Sequence, residues 1–386
     1  MSWEKVKLGD IAICIQPGPF GSQLHNSDYS ESGTPIIMPK DMIDGKISHS
    51  NLIFVGEEHT KRLCRHQVHA GNLMVARKGD VRKCVFITEN EDGWMTGSDC
   101  LKVALKENVC YPRFIYYQLR SPFIGRWLEK ISIGATMPSI NTGLLSSIEL
   151  VLPSLKEQKR IADILSAYDN LIENNQKQIK LLEEAAQRLY KQWFIDLRYP
   201  GHETTPIIDG LPQGWRKEIV GNLIKKVERP PQIEAKDYLL EGKIPVIDQS
   251  RNFIAGYTNN DDAIVKENCA VIVFGDHTRI LKYIQFPFAK GADGTQLIVS
   301  NNECMPQSLF YCSLINVDLS NYHYARHFKY LKAEEIVVPD VQIANKFDKL
   351  AKEFFAKIQN CRHQILSLQK SRDRLLPKLM NCELEI

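Results

Sequence analysis

A chain of 386 residues has room for two or three domains, each with its own core. Its apolar fraction of 44% and charged fraction of 25% are ordinary for a globular protein, and no run approaches the roughly 20 apolar residues of a membrane span. The formal charge of +3 is close to neutral, so it neither announces nor excludes nucleic-acid binding, for which a local basic face matters. The start, Met1-Ser2-Trp3-Glu4, has no apolar stretch of the signal-peptide kind, so a cytoplasmic location is expected. None of the ten cysteines forms Cys-x-x-Cys. Most, including Cys14, Cys84, Cys269 and Cys312, are expected to be small buried hydrophobes.

In chain order the elements come twice. Trp3 to Ile11 is matched by Trp215 to Leu223. Thr34-Pro35-Ile36-Ile37 is matched by Ile244-Pro245-Val246-Ile247. Asn72 to Asp80 and Asn268 to Asp276 each read as a short buried strand ending in a Gly-Asp turn. Pro112 to Leu119 and Pro306 to Ile315 are expected as short amphipathic helices. Glu149-Leu150-Val151-Leu152-Pro153 and Glu335-Ile336-Val337-Val338-Pro339 each lead into a long heptad helix. The order is therefore β-rich, helix, β-rich, helix: an internal duplication of an α+β domain.

The first long helix is expected from Pro153 to about Leu197 and the second from Pro339 to about the C-terminus. Ile161, Leu165, Tyr168, Ile172, Ile179, Leu182 and Leu189 follow 3-4 spacing in the first. Phe347, Phe354, Ile358, Ile365, Leu368 and Leu375 do so in the second. That spacing predicts an antiparallel coiled coil of about 60 Å. Ser154 and Glu157 form a capping box, Pro200 is expected to stop the first helix, and Pro377 to kink or fray the second. Asn175 and Arg372 interrupt the seam, either by reaching a solvated edge or by setting register.

Catalytic parts are hard to find. Glu241-Gly242-Lys243 lacks the rest of a phosphate loop, and Pro230-Pro231 is followed by Gln232, unlike an amino-methyltransferase motif. His59, Cys64, His66 and His69, or His323 and His327, complete no metal spacing. No metal and no catalytic residue is expected on this chain. Polar and cationic residues gather instead at turns. The candidates for DNA contact are Lys40, Arg77, Lys78, Arg82 and Lys83 in the first copy. In the second they are Arg251, Asn252, His277, Arg279, Lys290 and Arg326. Arg62, Arg65, Asn259, Asn260, Lys282, Gln296, Tyr324 and Lys329 lie in similar turns. Arg, Asn and Gln read base edges bidentately, while Lys mostly neutralises phosphate. The copies diverge at Pro17 to Tyr29 against Arg229 to Leu240, and at Arg82 to Gly93 against His277 to Pro287. Unlike loops on a like framework predict two different half-targets.

The tract Leu152-Pro153-Ser154-Leu155-Lys156-Glu157-Gln158-Lys159-Arg160-Ile161 resembles the specificity subunit of type I restriction–modification systems. Trp193-Phe194-Ile195-Asp196-Leu197-Arg198-Tyr199-Pro200-Gly201 and Leu211-Pro212-Gln213-Gly214-Trp215 strengthen the likeness, which covers the whole chain. The resemblance implies two target-recognition domains (1–152 and 201–338) with spacer helices (153–200 and 339–386). It implies an asymmetric bipartite site on double-stranded DNA, two methyltransferase (modification) subunits, restriction and motor subunits, and no membrane. S-adenosyl-methionine, with Mg and ATP for restriction, would then belong to partner subunits and no cofactor to this chain. The second helix departs from the family's Glu-Gln pattern with Pro339-Asp340-Val341-Gln342. Two alternatives stand beside this reading: a duplicated protein-binding scaffold without DNA readout, and a chain with its own methyltransferase or nuclease activity.

Overall fold

A computed structural model describes residues 3–134, 137–228, 230–291, 293–322 and 326–380. Arg229, His323, Tyr324 and the final six positions expected in the second helix lie outside the described residues. The chain divides into two compact units: Met1–Glu173 with Leu366–Ile386, and Asn174–Ile365. Each holds one β-rich segment and part of both long helices, an α+β arrangement.

The duplication is written in strand register. In unit 1, Glu4–Lys7 pairs antiparallel with Glu149–Leu152, Glu4 facing Leu152. In unit 2, Arg216–Ile219 pairs with Glu335–Val338, Arg216 facing Val338. The next amide closes the corner in both: Leu8 N–H donates to the Ile148 carbonyl and Val220 N–H to the Glu334 carbonyl, each at 2.9 Å. Thr34–Ile37 runs parallel to Met95–Thr96, and Ile244–Ile247 parallel to Ala289–Lys290.

The central strands Leu73–Ala76 and Val271–Gly275 are buried at every position, because each lies between two antiparallel neighbours and separates two cores. Leu73 and Val75 face the core that contains the long helices of unit 1, while Met74 and Ala76 face a second cluster. Ile272 and Phe274, against Val271 and Val273, repeat this in unit 2. A strand covered on both faces loses its polar alternation and reads as a continuous apolar run.

Of the two short helices, Pro112–Leu119 occupies its expected place. Gln307–Ile315 is not amphipathic: Ser308, Leu309, Phe310, Cys312, Ser313 and Leu314 are all buried. It lies between sheet and long helix, with Ser308 Oγ donating to Asp348 at 2.7 Å and Tyr311 5.5 Å from Phe355.

The first long helix spans Leu155–Tyr190 and the second Val341–Met380. Ser154 N–H donates to Glu157 Oε2 at 3.0 Å, and Glu157 N–H returns to Ser154 Oγ at 3.3 Å, completing the capping box. The neighbouring Gln158 is buried and fastens this start to the domain, accepting from Tyr111 N–H at 2.8 Å and donating to the Pro153 carbonyl at 2.9 Å. The second helix starts differently. Asp340 Oδ1 accepts from the amides of Gln342 and Ile343 at 2.8 and 3.0 Å, and Oδ2 accepts from Trp215 Nε1 at 3.2 Å. Asp340→Ala removes both roles and is expected to cost unit 2 about 1–2 kcal/mol, read as a lowered urea midpoint.

Pairing is antiparallel within each unit. In unit 1, Ile161 and Leu165 share a core with Leu376 and Leu379, and Asp169 meets Arg372. In unit 2, Gln178 meets Cys361 while Tyr190 packs on Phe347. All the expected seam positions are buried or half-buried. The apolar stripe is broader than a two-position seam, taking in Ile343, Ala344, Phe355 and Leu376. Helices that also pack against a β-domain need that wider face.

The first helix ends differently from expectation. A π-helical turn, Lys191–Ile195, follows the first helix, and Leu197 takes a left-handed φ of 55°, so the helix ends before Pro200. That break lets Tyr199 fold back onto Trp215, 4.7 Å between rings. Pro377 lies inside the second helix, which is described to Met380, where Leu376, Leu379 and Met380 are seated in the unit 1 core. The expected burial of cysteines holds for Cys84 and Cys312. Cys14 is half-buried and Cys269 exposed, and all cysteines among the described residues are free. No helix among the described residues is long and apolar enough to cross a membrane.

Candidate nucleic-acid interface

In unit 1 four loops converge at the ends of the buried strands. Gly97 N–H donates to the Ile37 carbonyl at 2.9 Å, and Arg77 N–H to the Asp99 carbonyl at 2.7 Å. Gly79 N–H reaches the Pro138 carbonyl at 3.0 Å, and Gly18 N–H the Cys100 carbonyl at 3.1 Å. A side chain at Gly18 would strike the Gly97 backbone, and one at Gly97 would strike the Ile37 carbonyl, which is why both are glycine.

Unit 2 brings the equivalent loops together around Gln249. Its Oε1 accepts from His277 N–H at 3.1 Å, its Nε2 donates to the Asp293 carbonyl at 2.9 Å, and its own carbonyl accepts from Thr278 Oγ1 at 2.7 Å. Gly291 N–H donates to the Ile247 carbonyl at 2.8 Å, as Gly97 does to Ile37. His327 N–H donates to the Asp276 carbonyl at 2.9 Å and Phe328 N–H to Asp276 Oδ1 at 2.8 Å, closing the fourth side.

The sequence candidates lie on or beside these loops, Lys290 on the strand Ala289–Lys290, but their side chains differ in how they are committed. Lys40 is exposed on the Pro39–Asp41 turn, and Lys83 Nζ donates to the Pro39 carbonyl at 2.9 Å. The Arg77 guanidinium lies 5.6 Å over the exposed Phe20 ring, and Lys78 pairs with Asp99 at 3.1 Å. Arg82 turns away to grip Asp80 with two nitrogens, at 2.8 and 3.2 Å, and reaches Glu129 at 3.2 Å. Hydrogen bonding to that guanidinium holds the Asp80 carboxyl below the usual range. In unit 2, Arg251, Asn252, His277 and Arg326 are exposed around the Gln249 hub. Arg279, with a left-handed φ of 60°, spends its guanidinium on the Tyr322 carbonyl at 3.1 Å. Lys290 is half-buried opposite Ile247, its carbonyl accepting from Ile233 N–H at 3.0 Å.

Several further turn residues have internal roles. Arg62 donates to the Gln23 carbonyl at 2.9 Å, and Asn259 Oδ1 accepts from Lys243 N–H at 3.0 Å. Lys282 is buried. The histidines near Cys64 do not converge on one point. His66 is buried against the Pro17 carbonyl, His69 faces Asp92 at 3.3 Å, and His59 faces Asp28 at 3.6 Å. Desolvation pushes the His66 pKa down, which keeps the ring neutral. No group of three or more potential metal ligands occurs among the described residues. Sequence reasoning missed Phe20, Asp99 and Gln249. Gln249 had a signal: it stands two residues after the matched Ile-Pro-Val-Ile strand, where the loop cluster begins.

Comparison with known proteins narrows the identity. A sequence model described as the type I restriction modification DNA specificity domain matches residues 1–184. The chain is 30% identical over 414 residues to the type I restriction enzyme MjaIX specificity subunit of Methanocaldococcus jannaschii, covering 100% of this chain and 94% of that one. The MjaVIII specificity subunit of the same organism is 26% identical over 191 residues, 48% of this chain and 44% of that one. The crystal structure of the type I restriction–modification S subunit from M. genitalium shares the fold, with a TM-score of 0.61 at 16% identity, over 98% of this chain and 96% of that one. With a relative at that identity spanning the whole chain, this protein belongs to the family of type I restriction–modification specificity subunits, whose catalytic activities lie on partner subunits.

Proposed function

We propose that the chain reads DNA sequence for a type I restriction–modification complex, each unit recognising one half of an asymmetric bipartite target. The observation that carries this reading is the pair of equivalent loop clusters, built on one repeated strand register yet bearing different side chains. Arg77 and Lys40 in one cluster, and Arg251, Asn252, His277 and Arg326 in the other, supply the donors that base edges and phosphates accept. The long helices serve as a spacer that fixes the gap between half-sites and docks two methyltransferase subunits, with restriction and motor subunits joining them. S-adenosyl-methionine, Mg and ATP act on those partners. This division of labour fits a near-neutral chain, since partners that wrap the duplex share in neutralising phosphate.

Footprinting the complex with its methyltransferase partner tests the reading. Two protected half-sites are expected. Exchanging residues 248–252 and 276–280 for those of a relative should alter base preference in one half and leave the other intact. Absence of a footprint would favour a scaffold that binds only proteins, and methylation by this chain alone would favour an enzyme.

A further inference from the structure

Among the described residues each unit buries a lysine that donates to loop carbonyls. Lys282, 4% exposed, donates from Nζ to the carbonyls of Asp248 at 2.8 Å and Asn252 at 2.5 Å, with the Asp248 carboxylate 3.8 Å away. Lys102, 8% exposed, donates to the carbonyls of Arg65 at 2.6 Å and Gln67 at 2.8 Å. Between those two, His66 accepts from Arg65 Nε at 3.1 Å and donates from Nδ1 to the Pro17 carbonyl at 3.0 Å. The lysines stand on non-equivalent strands, Leu281–Ile284 and Cys100–Leu105, so the shared framework does not explain them.

Lysine is among the residues least often buried, and an apolar side chain would fill the same space without desolvating a charge. What an apolar side chain cannot do is hold carbonyls. Lys282 holds both ends of a five-residue loop by its backbone, leaving the side chains of Arg251 and of the end residue Asn252 exposed, while Gln249 ties that loop to His277 and Asp293. We propose that Lys282 is a positioning residue that determines specificity: its ammonium fixes Asp248–Asn252 in the conformation with which unit 2 reads its half-target. The proposal rests on the DNA-reading function proposed above.

Burial lowers the Lys282 pKa to about 8, with Asp248 opposing the shift. Asp248 is itself faced by Tyr238, whose hydroxyl donates to it at 3.4 Å. Between about pH 8 and the ordinary lysine value, the folded chain has released a proton that the unfolded chain keeps. Stability from this group therefore rises with pH and is lost as pH falls through 8. The charge-assisted hold on the loop changes the other way, weakening as the ammonium is lost. A merely structural lysine would leave sequence discrimination unmoved.

The test uses the complex with its methyltransferase subunits, on unmethylated duplexes carrying the target sequence or single base-pair changes in either half, scoring adenine methylation in each half. Lys282→Met is expected to lower discrimination in the unit 2 half about tenfold, the order of one base contact, and leave the other half unchanged. Lys102→Met should do the reverse. Wild-type complex taken from pH 7 to 9 should lose discrimination in the unit 2 half without a fall in its melting temperature, which decides the matter even if Lys282→Met fails to fold. Unchanged discrimination in a folded Lys282→Met complex, or a flat wild-type pH profile, overturns the proposal while leaving DNA reading intact. Wild-type complex with no discrimination in either half overturns both.

Discussion

Phe347→Ala is expected to destabilise unit 2 by about 3–5 kcal/mol, a large fraction of what holds a domain together. Phe347 is fully buried, with its ring 5.1 Å from Phe194, 5.9 Å from Trp193 and 6.4 Å from Tyr190. Phe194 packs 5.5 Å from Trp215, and Trp215 packs on Tyr199. These rings come from the end of the first long helix, the turn after it, the opening of the second repeat and the second long helix. One deletion therefore leaves a cavity where four segments meet, and the rigid aromatic walls cannot collapse into it. Thermal unfolding followed by circular dichroism should show a drop of more than 10 °C, and Phe347→Leu should recover more than half of it. A melt within a degree or two of wild type would mean that the ring cluster does not hold the helices in unit 2.

The same cluster shows where local pattern stops being informative. Trp193 and Phe194 suggest an apolar face awaiting a partner, yet both are buried inside the chain's own unit 2. What the sequence lacks is the π-helical turn at Lys191–Ile195, which aims both rings inward. The long helices, the repeat and the Ser154–Glu157 capping box were legible because each is a local or periodic pattern. The roles of cations were not, since their partners lie far along the chain. Lys83 meets Pro39, Arg279 meets Tyr322 and Lys282 meets Asp248, and no spacing rule announces such pairs. Asp340 was legible in principle: an aspartate one position before a helix is a favoured cap.

The candidate interface follows the same division. Residue type and turn context brought Lys40, Arg77, Lys78 and Lys83 into one set, and the fold places their loops side by side. Arg82 belongs to that turn by sequence, but its guanidinium is committed to two carboxylates. Exposed ion pairs of this kind contribute little stability, so Asp80 and Glu129 are better understood as orienting the arginine than as holding the fold.

Arg372→Met is expected to cost unit 1 about 3 kcal/mol, and Asp169→Asn in the same chain to recover much of that loss. Arg372 Nη1 lies 2.6 Å from Asp169 Oδ1, and the two side chains are only 17% and 13% exposed. Asp169 also accepts from the buried Tyr117 hydroxyl at 2.7 Å. Arg372 therefore does both things: Nη1 meets a partner on the opposite helix, while Nε and Nη2 reach outward to the exposed Asp373 at 2.9 and 2.8 Å. Removing only the arginine strands a carboxylate in a poorly solvated place, where breaking one side of such a pair costs more than the pair contributes. Asparagine at 169 removes the stranded charge but keeps an acceptor for Tyr117, so the double variant should fall within about 1 kcal/mol of wild type by urea unfolding. Additive losses in the double variant would show that the two side chains act independently. A recovered double variant that loses its single set of helix amide signals would show instead that the ion pair fixes register, the use for which polar seam residues are best attested.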